Sequence, residues 1–217
     1  MRFLRGTIIT ILLLLLSTTG AFALTSFSTT TLKFDTSLTE GADQVYTTPE
    51  KIYISQITTK SEQLSQDPEL WVKSLYYYYI TRLYIPDLPY TYLLDENGII
   101  YQGKTGGLGA NLQENDLDNA VLVGYLSNTP TLTARAETSL MEMVNEIAHA
   151  WGISTLKPVR VNIIKEENKM SGIKITDAPF EFTTAINNLF KDWQGYTEEH
   201  LDYKAKIEEV IVPTESE

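Results

Sequence analysis

The chain has 217 residues, 43% of them hydrophobic and none of them cysteine, with 17 Lys and Arg against 28 Asp and Glu. That length and apolar content suffice for one domain with its own core, and the missing cysteine excludes both a disulfide framework and a lipid-modified cysteine anchor. A net charge of −11 makes nucleic acid and anionic membrane surfaces poor partners, because both are held by Lys and Arg that neutralise phosphate. A neutral or zwitterionic ligand fits this chain better.

The amino end has the layout of an export signal. Arg2 and Arg5 precede an apolar run from Ile8 to Leu16, and Ala21-Phe22-Ala23 offers a small-x-small cleavage site. The run is short for a membrane span, which needs about 20 residues, so residues 1–23 are expected to be removed, with an uncleaved anchor as the alternative. Taking Arg2 and Arg5 from the 17 basic residues leaves 15 against 28 acids, a net charge near −13.

Residues 24–49, rich in Ser and Thr, read as a lead-in or linker with one strand near Thr31 to Phe34. Lys51 to Ile57 is β-rich and predicts a core strand. Asp67-Pro68-Glu69 predicts a helix start, with Asp67 as cap, Pro68 at the first helical position and Glu69 in the first turn. This helix runs to about Arg82 and buries Leu70, Trp71 and Leu75. Tyr76 to Tyr79 cannot all face one side of it, since neighbours sit about 100° apart, so one or two must reach another surface.

Tyr90, Tyr92 and Leu94 alternate with Thr91 and Leu93, the period of a half-buried strand. Asp95-Glu96-Asn97-Gly98 supplies a tight turn, and Ile99 to Tyr101 restarts the strand pattern, which together predict a hairpin. Thr105 to Ala110 is glycine-rich, but neither a P-loop Lys-Ser/Thr nor a helix start follows. Ala120 to Leu126 reads as a buried strand, and Leu140, Val144, Ile147, Ala148 and Trp151 fall at helical spacing up to Gly152. Pro158 to Lys165 alternates as a strand, and Glu166 to Ser171 is a charged loop. Phe182, Ile186, Leu189, Phe190 and Trp193 mark another amphipathic helix. Residues 196–217 hold a shorter helix near Glu198 to Val210 and an acidic tail. Strands interleaved with helices predict an α/β fold, a single domain over 50–195 with a mixed central sheet flanked by helices.

From Val72 to Gly103 the chain resembles the type-2 N-acetylmuramoyl-L-alanine amidases and the peptidoglycan recognition proteins that share their fold. Tyr78-Tyr79 stands at that family's aromatic-His pair, and Asp87-Leu88-Pro89-Tyr90-Thr91-Tyr92 at its Asp-hydrophobic-Gly-Tyr-x-Phe strand. Asp95 to Gly98 matches the turn, and Tyr101-Gln102-Gly103-Lys104 the last strand, without a gap. Leu108-Gly109-Ala110-Asn111 is similar to the family's Val-Gly-Ala-His segment, and Ala120 to Asn128 to its core strand. The resemblance extends over roughly Ile52 to Trp193.

Active members hold one zinc through two histidines and a third Cys, His or Asp, and the metal activates water against an amide carbonyl. The resemblance puts Ser55 at the first histidine, Asn162 nearest the second, and Asp177 or Ala178 at the third ligand. One carboxylate cannot hold a zinc that needs three protein ligands, so no cofactor is expected. His149 falls on the polar face of its helix and His200 in the charged carboxyl-terminal segment, where solvated roles are the natural reading.

What the resemblance retains is a groove. Tyr90 matches a tyrosine beside the zinc water, Thr176 an oxyanion donor, and Lys104 a groove arginine. Asn111 stands for the groove histidine, and Tyr79 for the histidine of the aromatic pair. The implied function is an exported, catalytically inactive amidase-fold domain that binds peptidoglycan or a muropeptide. Two alternatives stand beside it. One is an active amidase rebuilt from Asp87, Asp95, Asp116, Asp118 and Asp177 clustered on one rim, which needs a carboxylate of strongly raised pKa as base. The other is a protein-interaction module that has lost the ligand and uses its acidic surface or its tyrosine-rich helix.

Overall fold

The computed structural model describes residues 28–39, 45–46, 48–103, 110–111, 117, 119–164 and 171–195. The expected signal, the glycine-rich loop apart from residues 110–111, Asp116, Asp118, His200 and the carboxyl-terminal helix and tail lie outside them. So do the Lys104 and Asn111 side chains.

The described elements are β1 (Thr30–Thr31), a 3-10 turn (Thr36–Thr39), β2 (Val45–Tyr46), β3 (Lys51–Ile57), α1 (Glu62–Gln66) and α2 (Pro68–Leu83). They continue with β4 (Tyr92–Asp95), β5 (Ile100–Gln102), β6 (Ala110–Asn111), β7 (Ala120–Leu126), α3 (Ala134–Trp151), β8 (Leu156–Ile164), β9 (Gly172–Asp177) and α4 (Phe180–Leu189). Seven strands form one mixed sheet in the order β1-β5-β4-β7-β3-β8-β9, while β2 and β6 pair separately. Strands β4, β7, β3 and β8 run parallel, and the hairpins β4–β5 and β8–β9 turn antiparallel. The expected mixed sheet with flanking helices is what the chain forms.

Central β7 is buried at every position, as a parallel strand covered on both faces must be. On one face Val121, Val123 and Tyr125 join Ile52, Ile54 and Leu94 under α3 and α4. On the other, Leu122 and Leu126 join Ile57, Leu93 and Val159 under α2.

Helix α2 begins as its sequence dictates. The Asp67 side chain accepts from Leu70 N at 3.0 Å, and Pro68 needs no donor there. The tyrosine run divides by helix geometry: Tyr76 and Tyr79 are buried, while Tyr77 and Tyr78 face out. Leu70 and Leu75, expected in the core, are only half-buried. The inward stripe instead runs through Trp71, Val72, Tyr76, Tyr79, Ile80 and Leu83.

Part of the expected linker is folded. Thr30 and Thr31 extend the sheet beside Tyr101 and Gln102, Leu32 is buried, and Phe34 stacks on Tyr76 at 4.4 Å. The Ser/Thr-rich composition conceals an alternating Leu32 and Phe34, and that alternation seats the segment. Strand β9 completes the sheet at the opposite edge.

Candidate functional site

Position 55 lies near the carboxyl end of β3, on the face covered by α2, and Ser55 is 1% exposed there. Its hydroxyl lies near that of Tyr90, and the Tyr90 hydroxyl near that of Tyr79, close enough for each to act on its neighbour's ionisation. The Tyr79 and Tyr90 rings meet edge to face, 6.1 Å between centroids at 87°. The Tyr90 ring lies over β7 at Gly124, where a Cβ would come within 2.8 Å of its Cδ1. Only a residue without a side chain leaves that space.

Burial first, then the neighbouring Tyr79, pushes the Tyr90 hydroxyl well above the usual tyrosine range, and the Ser55 hydroxyl offsets only part of this. Burial likewise raises Tyr79, and the Tyr90 hydroxyl offsets part of this. Both phenols are therefore neutral at physiological pH and enclosed by the protein. Neither is open to a ligand in this conformation.

Asn162 and Thr176 also meet, but elsewhere. Asn162 Nδ2 donates to Thr176 Oγ1 at 2.7 Å. Val161 and Ile163, their neighbours Ile173 and Ile175, and Tyr90 all pack on the α2 side. Because side chains alternate along a strand, Asn162 and Thr176 face the opposite side. Asn162 thus shares no face with Ser55, and Thr176 none with Tyr90. Asp177 does face the α2 side and is paired with Lys157 Nζ at 2.9 Å, both well exposed. That bond and the Asp177 charge raise the Lys157 pKa. Ala178 packs against the other core, and its carbonyl accepts from Thr183 Oγ1.

The proposed carboxylate rim does not form from its described members. Asp87 is buried and holds Leu88 N at 2.6 Å through Oδ1. Asp95 is buried as the turn's own acceptor: Oδ1 takes Asn97 N at 2.9 Å and Ile99 N at 2.8 Å, and Oδ2 takes the Tyr101 hydroxyl at 3.2 Å. Three strands, β7, β3 and β8, separate Asp95 on β4 from Asp177 on β9. His149 is exposed on α3, as expected.

A zinc ion does not fit these residues. Ser55 is a buried hydroxyl, Asn162 is an amide on the far face, and Asp177 is the one carboxylate left. Among the described residues no three of His, Cys, Asp and Glu gather into a group able to hold a metal ion. What the surface offers instead is an open polar cleft of about 270 Å³ at the carboxyl ends of β4 and β7, lined among others by Gln66, Trp71, Glu96, Asn97, Ser127 and Asn128. No lysine or arginine lines it. Sequence reasoning did not find this cleft, because its walls come from three loops with no shared motif.

No family model matches the chain, and no curated protein does. Solved structures do. PGRP-Hd from Alvinella pompejana is 16% identical, with 79% of this chain and 99% of that one covered at a TM-score of 0.49. Drosophila peptidoglycan recognition protein SA is 14% identical over 72% of this chain and 86% of that one, at 0.48. The N-acetylmuramoyl-L-alanine amidase LysC from Clostridium intestinale URNW is 14% identical over 75% and 99%, at 0.44.

Proposed function

We propose that this chain is an exported domain of amidase-like fold that binds peptidoglycan or a muropeptide without hydrolysing it. The observation that carries the reading is the meeting of Ser55, Tyr79 and Tyr90. The sequence resemblance assigns all three to the centre of the site, the fold brings them into one buried cluster, and none is a zinc ligand. Residues 1–23 serve in this reading as the signal, and residues 196–217 as an appended helix and acidic tail.

With Tyr79 and Tyr90 inside, ligand contact falls to the rim. The sequence resemblance assigns Lys104 and Asn111 as groove residues, and Tyr78, half exposed at 51%, gives a ring for stacking on a sugar face. Hydrogen-bonding groups with no cation, as in the polar cleft, suit the hydroxyls and amides of a sugar-peptide ligand.

The test is retention on purified cell walls, with zinc content and amide turnover measured on the same preparation. Retention that drops about tenfold in Lys104→Ala or Asn111→Ala, with no turnover, supports the reading. Absence of retention on any cell-wall preparation overturns it. The exposed Tyr77, Tyr78 and Tyr84 favour a second reading, a protein-interaction module built on α2, which predicts no cell-wall retention and capture of a protein partner that Tyr77→Ala and Tyr84→Ala abolish.

A further inference from the structure

The strand register gives a placement that a one-dimensional alignment misses. Ser55 on β3 stands opposite Val159 on β8, and Val159 stands opposite Asp177 on β9. Paired residues share a face, so these three form one row on the α2 side. Neighbouring strands lie about 4.8 Å apart, which puts the ends of the row about 10 Å from each other. Side chains converging from β3, β8 and β9 therefore have their seats at 55, 159 and 177, and here these hold a hydroxyl, an alkyl group and a carboxylate paired with Lys157.

A second observation concerns what stands above that row. Tyr90 lies over Gly124 in the same core as Ile57 and Leu122, with its hydroxyl near those of Ser55 and Tyr79. The three hydroxyls act on one another in turn, Ser55 on Tyr90 and Tyr90 on Tyr79, and the Tyr79 and Tyr90 rings meet edge to face. Every member is buried, with Ser55 at 1%, Tyr90 at 3% and Tyr79 at 8% exposure.

We propose that the row Ser55–Val159–Asp177 marks the place of a metal centre that this chain has closed, and that the hydroxyl chain Ser55–Tyr90–Tyr79 fills it as a structural tie between the sheet and α2. A neutral phenol buried between Ser55 and Tyr79 offers a cation neither charge nor an open approach. Val159 supplies no donor, and Asp177 faces solvent beside an ammonium. The proposal stands apart from ligand binding, since retention on cell walls and uptake of zinc are read separately.

The experiment is equilibrium dialysis against zinc together with thermal melting, on the full chain recovered from a secreting host. The wild type takes up well under one zinc per chain, and its Tm does not move. Ser55→His with Val159→His sets two imidazoles beside Asp177 on one face. That variant takes up about one zinc, with a rise of roughly 5–10 °C at about a hundredfold of its Kd. Ser55→His with Asn162→His divides the imidazoles between two faces and gains none. Stoichiometric zinc on the wild type, lost in Ser55→Ala, overturns the proposal, as does zinc on the 55/162 pair but not on the 55/159 pair. Should the doubly substituted chains fail to fold, Tyr90→Phe decides. Removing the buried Tyr90 hydroxyl from beside Ser55 and Tyr79 lowers Tm by about 2–8 °C, and a Tyr90→Phe that melts with the wild type removes the tie and the proposal with it.

Discussion

A Cβ at position 124 would start 2.8 Å from Tyr90 Cδ1 and 2.5 Å from Ile57 Cδ1, closer than packed carbons approach. The isoleucine end can turn away, but the tyrosine ring is buried and packed edge to face on Tyr79. Gly124→Ala is therefore expected to cost about 1–3 kcal/mol as overpacking, read as a lower urea midpoint. It should also raise the exposure of Tyr90 to quenchers of tyrosine fluorescence. Gly124→Ala at wild-type stability would mean that the ring is free to shift. The partners of this cluster differ in how they could be read from sequence. Ser55 and Tyr90 stand out as motif positions, but Gly124 reads only as a small residue in an apolar strand. Its reason is a ring that arrives from 34 positions away in the chain.

Elements show the same division between local and distant causes. The start of α2 is legible because Asp67, Pro68 and Glu69 act on the backbone within one turn. Asp67→Ala is expected to cost about 0.5–2 kcal/mol by freeing Leu70 N, measured by chemical denaturation. Its end is not legible: α2 stops at Tyr84 with φ 55°, a left-handed position held by a bulky residue that is 66% exposed. That conformation costs a residue with a Cβ about 1 kcal/mol, so Tyr84→Gly is expected to stabilise the domain by about that amount, and an unchanged midpoint would show that the exposed ring has compensating contacts. The hairpin was legible from its turn, where Gly98 alone of the four takes a positive φ, 81°. Strand β9 carries a signal in the alternation of Ile173 and Ile175, but reading residues 176–178 as a ligand motif obscured it. Four tyrosines in a row gave no contrast of side-chain type, so periodicity could say that some turn outward but not which.

Across the whole molecule, buried phenols make stability depend on alkaline pH. Burial raises Tyr79, Tyr90, Tyr92, Tyr101 and Tyr125 above the ordinary value near 10, Tyr92 to about 12, and carboxylate Asp95 adds to the rise at Tyr101. Between pH 10 and 12 the unfolded chain has released these protons while the folded chain retains them. The native state then binds more protons than the unfolded state, and unfolding free energy falls as pH rises. The contribution is complete below pH 10 and drains as pH passes through the raised values. Lys157 acts in the same sense, but it is exposed beside Asp177 and screened by water. Urea midpoints should therefore be flat from pH 7 to 9 and drop between pH 10 and 12. Tyr92 is the informative probe, because burial alone raises it. Tyr92→Phe should lessen the slope in that interval by up to about 1.4 kcal/mol per pH unit, while leaving the plateau near neutrality little changed. An equal slope in the variant would place the alkaline transition elsewhere than in these buried rings. This prediction needs the fold as well as the sequence: 13 tyrosines can be counted along the chain, but only the sheet and α2 decide which of them are held away from water.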